Sequence, residues 1–144
     1  IIPNITFPAT ANAVKMAGGK LILADVNPIN LLLDEKSLIK KINSKTKFII
    51  PVHLSGRGGN IKKIISLGKK KSIKIIEDAA EALGSKSQGK NLGSFGLAGC
   101  FSFAPNKILN TKYEFSTKNN LQEISYENIG AEININNFLK CIPQ

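Results

Sequence analysis

Short apolar runs alternate with stretches of helical spacing, and this order constrains the fold more than any other feature of the chain. The apolar runs are "KLILAD" (20–25), "KFIIPV" (47–52), "IKII" (73–76) and "GCFSF" (99–103). The stretches of helical spacing are "DEKSLIKKI" (34–42) and "NIKKIISLGKK" (60–70). Strands that alternate with helices are typical of an α/β fold with a mainly parallel sheet. The sequence therefore predicts one layered α/β domain.

Local signals add detail to this prediction. Asp34 precedes the first helical stretch and is a suitable N-cap. The run 47–52 is almost entirely apolar, which predicts a strand covered on both faces. Residues 113–117, "YEFST", form a further possible strand, after which the chain becomes polar and rich in asparagine.

The charge is unusual, because 20 lysines and arginines face 10 acidic residues, for a net charge of +10. Arg57 is the only arginine, whereas base readout and bidentate phosphate contacts favour arginine. The lysines are spread along the chain, and the densest run, 69–71, fits a solvated helix end. We therefore expect no nucleic-acid partner.

The cysteines and the apolar runs indicate where in the cell we expect the protein. Cys100 and Cys141 provide neither a metal-type cluster nor a disulfide framework, so we expect no metal site and a reducing, cytoplasmic location. The sequence shows no apolar run of membrane-spanning length and no signal peptide, so we expect no membrane association.

Three polar segments follow predicted strands, where ligands bind in parallel α/β sheets. They are "HLSGRGG" (53–59), "EDAAEALG" (77–84) and "SFAPNK" (102–107). The "GRGG" turn precedes a helix, and Glu77-Asp78 lies about twenty residues further on, which resembles a dinucleotide-binding layout. Ile61 replaces the third glycine of that fingerprint, and a tight strand-to-helix connection explains the turn equally simply.

Asp78 and Lys107 each have two interpretations. Asp78 either pairs with a cationic group of a flat ligand beside Ala79 and Ala80, or caps a helix "AAEAL" (79–83). Lys107 is either an ordinary exposed lysine or an amine desolvated by apolar neighbours, able to form a Schiff base with an aldehyde cofactor. The Ser102 hydroxyl precedes it on the same segment and could hold a phosphate oxygen.

Three segments together carry a family resemblance. They are "IIPNITFPATANAV" (1–14), "KFIIPVHLSG" (47–56) and "IIEDAAEALGSKSQGKNLGSFGLAGCFSFAPNK" (75–107). Over residues 1 to about 111 the chain resembles the sugar aminotransferases of the DegT/DnrJ/EryC1/StrS family. These enzymes use pyridoxal phosphate and have the type I, aspartate aminotransferase-like fold. The resemblance implies the three-layer, mainly parallel large domain of that fold.

The resemblance also implies roles for individual residues. Lys107 matches the lysine that holds the cofactor as a Schiff base and later moves a proton between substrate and cofactor. Asp78 matches the carboxylate that pairs with the pyridine nitrogen, and Ser102 matches a phosphate ligand. Phe7 matches the aromatic residue stacked on the ring, and Glu81 a residue near the phenolic oxygen. His53 falls in a recurrent stretch, where we expect a structural role beside the site.

The chain departs from the family pattern in its outer parts. It starts after the family's phosphate-binding Gly-Thr turn, and "NTKYEFST" (110–117) lacks the glycines that follow the family's lysine. "IGAEININN" (129–137) resembles a later motif but places Glu132 where the family has a phosphate-binding asparagine. We expect residues 1–144 to be a partial cofactor-binding large domain, truncated at both ends. Within it, 112–144 is divergent and has an internal deletion, and the C-terminal small domain is absent.

The resemblance implies an aminotransferase that moves an amino group from an amino acid, glutamate being the expected donor, to a keto group of a nucleotide-linked sugar. The expected partners are these substrates and a second copy of the chain, and the expected pathway is surface polysaccharide or amino-sugar biosynthesis. Two alternatives remain open, namely a catalytically silent remnant that acts as an interaction module and a dinucleotide-binding α/β domain.

Overall fold

A computed structural model describes residues 1–104 and the backbone of two strands at 113–116 and 123–126. The chain divides into two compact units, Ile1–Phe101 and Ser102–Gln144. The strands of the first unit are β1 (Ile2–Pro3), β2 (Leu23–Ala24), β3 (Phe48–Ile49), β4 (Lys74–Asp78), β5 (Lys86–Ser87), β6 (Lys90–Asn91) and β7 (Ala98–Cys100). Its α-helices are α1 (Pro8–Met16), α2 (Glu35–Lys41) and α3 (Ile61–Lys71), and a 3₁₀ turn spans Leu54–Gly56.

The main sheet is parallel. β1 pairs with β2, while β4 lies between β3 and β7. The Ile1 amine donates to the Phe48 carbonyl and Ile50 N donates to the Ile1 carbonyl, so β1 runs beside β3. The resulting order is β2-β1-β3-β4-β7, and the antiparallel hairpin β5-β6 lies outside it. The predicted α/β fold with a mainly parallel sheet is confirmed.

The principal core lies between this sheet and the two helices α2 and α3. Leu38 of α2 and Ile64 of α3 are buried in the same cluster as Ile49 of β3 and Ile75 of β4. Each such side chain stabilises the fold by about 1.5–3 kcal/mol when fully buried. The periodic isoleucines that predicted α3 are therefore the residues that attach it to the sheet.

Side chains alternate along β4 between two faces. Ile75 is buried in the α2–α3 core, whereas Asp78, of opposite parity, contacts Thr10 of α1. α1 therefore lies on the other face, which gives three layers. That second face is only partly covered, because Phe48 in β3 is 43% exposed while its neighbour Ile49 is buried. The prediction that segment 47–52 is covered on both faces is therefore wrong for the second face, which is covered only in part.

The helix limits follow from local chemistry. The Asp34 side chain accepts a hydrogen bond from Ser37 N at 2.7 Å, which confirms the predicted N-cap of α2. α3 ends at Ser72 in a left-handed conformation, with three lysines in its last turn, where positive charge is favourable. No helix was predicted at 8–16, although Pro8 at the first helical position suits a helix start.

The second unit contains the hairpin of β8 (Tyr113–Ser116) and β9 (Glu123–Tyr126), whose strands are antiparallel and pair Tyr113 with Tyr126. The possible strand at "YEFST" is thus confirmed. Across the described part of the chain, none of the helices has the length and apolar character needed to cross a membrane.

Candidate functional site

Asp78 ends β4 at the carboxyl edge of the sheet, and its backbone is fixed from both sides. Its N–H donates to the Pro51 carbonyl, and His53 N donates to the Asp78 carbonyl, both at 2.9 Å. The next residue, Ala79, donates its N–H to the Cys100 carbonyl at 2.8 Å. The segment that follows β3 holds the backbone of Asp78, and the last residue of β7 holds that of Ala79.

The Asp78 carboxylate is half-buried and, among the residues that the structure describes, has one hydrogen-bond donor on each oxygen. Thr10 Oγ1 donates to Oδ2 at 2.7 Å, and Ala80 N donates to Oδ1 at 3.2 Å. Residues 79–83 form turns and no helix, so the interpretation of Asp78 as a helix cap is wrong. A carboxylate oxygen accepts more than one hydrogen bond, so both oxygens retain capacity for a ligand.

Phe7 lies one helical turn before the threonine that contacts Asp78. It is the N-cap residue of α1, its carbonyl accepts a hydrogen bond from Thr10 N at 3.2 Å, and its side chain is 77% exposed. An aromatic ring this exposed has surface available for stacking. The first turn of α1 thus carries both an exposed ring and the hydroxyl bonded to Asp78.

Glu77, the neighbour of Asp78, is completely buried and fully hydrogen-bonded. Oε2 accepts from His53 Nε2 at 2.7 Å and from Gly93 N at 2.8 Å, while Oε1 accepts from Phe95 N at 2.6 Å and Gly96 N at 2.7 Å. Burial by itself raises the pKa of Glu77, but the hydrogen bonds from His53, Gly96 and Gly93 outweigh it and lower that pKa. The buried carboxylate is therefore ionised at neutral pH.

The loop 93–96, "GSFG", wraps around this carboxylate. Gly93 has φ +84°, and a Cβ there would lie 2.5 Å from Phe101 Cζ. A Cβ at Gly96 would lie 2.5 Å from the Ile75 carbonyl oxygen. Both glycines are needed for the loop to bring its N–H groups onto Glu77.

The remaining site candidates stand as follows. Glu81 Oε2 accepts a hydrogen bond from Ser55 N at 2.8 Å, in the 3₁₀ turn that follows His53. Ser102 belongs to the second unit, where its Oγ accepts from Ala104 N at 3.4 Å. Lys107 lies outside the described residues. The structure therefore brings Asp78 and the α1 turn of Phe7 together. The cofactor-binding roles predicted for these two residues stay predictions, as do those of Glu81, Ser102 and Lys107.

The "GRGG" turn has a packing explanation. A Cβ at Gly58 would lie 2.7 Å from Leu92 Cδ2, and one at Gly59 would lie 2.6 Å from Leu32 Cδ1. The four donors already on Glu77 also leave that carboxylate occupied by the protein itself. The interpretation of this segment as a tight strand-to-helix connection accounts for its glycines without a dinucleotide.

Sequence reasoning missed the hydrogen-bonding roles of Thr10, Glu77 and Ser55. The signal for Glu77 was a charged residue inside an apolar strand, because such a charge requires donors around it. Thr10 gave a weaker signal, a polar β-branched residue in the first turn of a helix. Ser55 acts through its backbone N–H, so its side chain carried no signal.

Comparisons with known proteins agree with this architecture. The model of the DegT/DnrJ/EryC1/StrS aminotransferase family matches residues 1–114. The UDP-N-acetyl-3-dehydro-alpha-D-glucosamine 3-aminotransferase of Acidithiobacillus ferrooxidans is 40% identical over 109 residues, which are 76% of this chain and 30% of that protein.

Two solved structures are similar over the same share of the chain. PseC of Helicobacter pylori, an aminotransferase involved in pseudaminic acid biosynthesis, has a TM-score of 0.71 at 35% identity, covering 76% of this chain and 29% of its own. The PLP-form of the putative sugar aminotransferase Spr1654 from Streptococcus pneumoniae has a TM-score of 0.72 at 27% identity, with 76% and 32% covered. The chain thus spans about 30% of the curated relative's length. It belongs to the DegT/DnrJ/EryC1/StrS aminotransferase family, whose members use pyridoxal phosphate.

Proposed function

We propose that this chain supplies the pyridine-binding half of the cofactor site of a pyridoxal-phosphate-dependent aminotransferase that acts on a keto group of a nucleotide-linked sugar. The observation that carries the proposal is the Asp78 carboxylate, held by Thr10 and Ala80 at the carboxyl edge of a parallel sheet. Family membership supplies the reaction class.

The described residues fit the ring of this cofactor. Asp78 offers an anionic acceptor for a protonated ring nitrogen, and both of its oxygens have further acceptor capacity. Phe7 offers an exposed aromatic face one helical turn from Thr10. A planar ring with a protonated nitrogen would be bound by such an anion together with such a stacking surface.

When bound, pyridoxal phosphate supplies an electron sink for the carbanion formed at the substrate carbon. Asp78 would keep the proton on the ring nitrogen, and Phe7 would cover one face of the ring against water. Lys107 Nζ would hold the cofactor and carry a proton to and from the substrate carbon. Ser102 would bind a phosphate oxygen, and Glu81 would face the phenolic oxygen.

The finer parts of the proposal rest on the relatives. The substrate class follows the Acidithiobacillus ferrooxidans relative, whose name describes a UDP-linked sugar. Glutamate is the proposed amino donor, a second copy of the chain is the proposed partner, and amino-sugar or surface-polysaccharide biosynthesis in the cytoplasm is the proposed setting. Each belongs to the whole enzyme, of which this chain matches about 30%.

The test is cofactor binding by the purified chain. Addition of pyridoxal phosphate should give a visible absorbance band that survives dialysis and is lost in Lys107→Ala. Lys86→Ala, which removes an exposed lysine of the hairpin β5-β6, should keep the band. Failure of the unmodified chain to give a band would reject cofactor binding and favour the silent-remnant alternative. Protection from proteolysis by NAD alone would favour the dinucleotide alternative.

A second test uses the departure at Glu132. A carboxylate near a phosphate repels it, so Glu132→Asn should tighten pyridoxal phosphate binding, by up to about tenfold if the two charges are close. The nearby substitution Glu127→Gln, which removes the same charge from another position, is the control. Equal effects of the two substitutions would point to a general charge effect and contradict the assignment of Glu132.

A further inference from the structure

Thr10 is an unusual residue in α1 because it is buried in a helix whose other residues are not. Of the nine residues of α1, all described, Thr10 alone is buried, at 6% exposure. Buried residues normally attach a helix through apolar contacts. The burial of a polar threonine therefore requires another explanation.

The hydroxyl of Thr10 provides it. Oγ1 donates to Asp78 Oδ2 at 2.7 Å, across 68 positions in sequence. Thr6 Oγ1 lies 2.8 Å from Thr10 Oγ1. A threonine hydroxyl has one proton, and Thr10 gives it to Asp78, so Thr6 must donate to Thr10. The result is a chain of two hydroxyls directed at the carboxylate, in which each bond strengthens the next.

This geometry fixes the direction of the carboxylate. With Oδ2 held by Thr10 and Oδ1 held by Ala80 N at 3.2 Å, rotation of the Asp78 side chain breaks at least one hydrogen bond. Phe7 precedes Thr10 by one turn and is joined to it by a backbone hydrogen bond of 3.2 Å. The hydroxyl therefore links the start of α1, which carries the exposed ring, to the end of β4.

We infer that Thr10 is a positioning residue for the site: its hydroxyl, backed by Thr6, orients Asp78 relative to Phe7. The inference rests on the proposed function for its consequence, since the oriented carboxylate would meet the ring nitrogen of the cofactor. Thr10 acts through Asp78 and need not touch the cofactor itself. Loss of the hydroxyl should therefore affect the ring-nitrogen interaction more than the attachment of α1.

The experiment compares three variants of the full chain. Thr10→Val keeps the shape of the side chain and removes the donor, whereas Thr10→Ser keeps the donor. Val14→Ala weakens α1 packing at a half-buried position one helical turn further along and leaves the hydroxyl in place. The first readout needs no cofactor and is the amide NMR shift of Ala80, whose N–H is bonded to Asp78 Oδ1. Thr10→Val should move this resonance, while Thr10→Ser and Val14→Ala should leave it in place.

The second readout is titration with pyridoxal phosphate followed by visible absorbance. Loss of one hydrogen bond to a charged group is expected to weaken binding about tenfold in Thr10→Val and to alter the pH dependence of the band. Thr10→Ser should bind within about twofold of the unmodified chain, because it keeps that bond. If Thr10→Val does not fold, Thr10→Cys, with a weak thiol donor, should give intermediate changes in both readouts.

The outcomes separate this inference from the proposed function. An unchanged Ala80 resonance in Thr10→Val, or an equal change in Val14→Ala, overturns the positioning role whatever the cofactor does. A moved resonance that Thr10→Ser restores supports the role. If the unmodified chain gives no absorbance band, the cofactor proposal fails, and the Ala80 resonance still decides whether Thr10 orients Asp78.

Discussion

Replacing Glu77 with glutamine removes a negative charge from a completely buried side chain while preserving its shape. The carboxylate accepts four hydrogen bonds, two on each oxygen. In the variant, one oxygen becomes an NH₂ group, which donates. Placed at Oε1, it would face two backbone donors, Phe95 N and Gly96 N; placed at Oε2, it would face Gly93 N and the His53 ring. The second orientation is preferred because an imidazole nitrogen can accept a hydrogen bond.

The cost follows from this count. In the preferred orientation Gly93 N–H loses its acceptor, which costs about 1–3 kcal/mol for a buried group. The hydrogen bonds from Phe95 and Gly96 become neutral, each weaker by about 1 kcal/mol. We expect Glu77→Gln to lower the free energy of unfolding by about 3 kcal/mol, which is the sum of these three losses at their lower end. Glu35→Gln, at a solvent-accessible pair with Lys63 in which the glutamate is half-buried, should cost less than about 1 kcal/mol.

Urea denaturation followed by circular dichroism measures both values, and pH adds a second check. The pKa of Glu77 is lowered in the folded protein, so its stabilisation is present above its ordinary value of about 4.5 and is lost as pH falls through the lowered value. The difference in the free energy of unfolding between the unmodified chain and Glu77→Gln should therefore narrow as the pH falls below about 4.5. A loss under 0.5 kcal/mol at pH 7 would refute the reasoning, as that is the scatter of ordinary surface substitutions. A difference in the free energy of unfolding that stays constant as the pH falls would also refute the reasoning.

Two further predictions concern neighbours of this region. Burial, and then the charge of Asp78, raise the pKa of the Cys100 thiol, so alkylation by iodoacetamide at pH 7.5 should be slow in a variant whose other cysteine is serine. Asp78→Asn should accelerate it, as followed by mass spectrometry, and an unchanged rate would contradict the electrostatic contribution. Gly93→Ala should cost about 3 kcal/mol in urea denaturation, because it combines left-handed strain with overlap. Gly89→Ala should cost only about 1–2 kcal/mol, because it has φ +82° and nothing within 4 Å, so equal losses would show that overlap with Phe101 is unimportant.

The layered fold was predictable because its signals are local. The isoleucines of α3 and the Asp34 cap of α2 act within a few residues, and both helices lie within one residue of their predicted limits at each end. β2 and β3 are shorter than the apolar runs that predicted them, because paired backbone covers only part of each run. β4 instead extends to Asp78, two residues beyond its run 73–76. α1 was missed because its exposed residues show no apolar period.

The candidate site was predictable only in part, because its contacts are distant in sequence. Family resemblance drew attention to Asp78 and Phe7, yet the hydroxyl that joins their segments lies 68 positions from the carboxylate. The partners of Glu77 include backbone N–H groups 16 to 19 positions away, which have no side-chain signature. A pattern read along one chain cannot identify such donors, because their direction depends on how the loop 93–96 closes.

The buried Glu77 has a consequence for strand alignment. Adjacent residues of a strand face opposite sides, so a slip of β4 by one residue would move each of the two acidic side chains to the opposite face of the sheet. A slip that places Asp78 in the position of Glu77 would bring the shorter side chain to the loop 93–96, where it falls short of the N–H groups. Glu77 would then face α1. Such a slip forfeits all four hydrogen bonds of the buried Glu77 carboxylate. Placing Ile76 where Ile75 lies costs comparatively little, because the two side chains are the same. The buried Glu77 carboxylate thus favours one register of β4, and in that register the Asp78 carboxylate lies on the face of the sheet that carries α1.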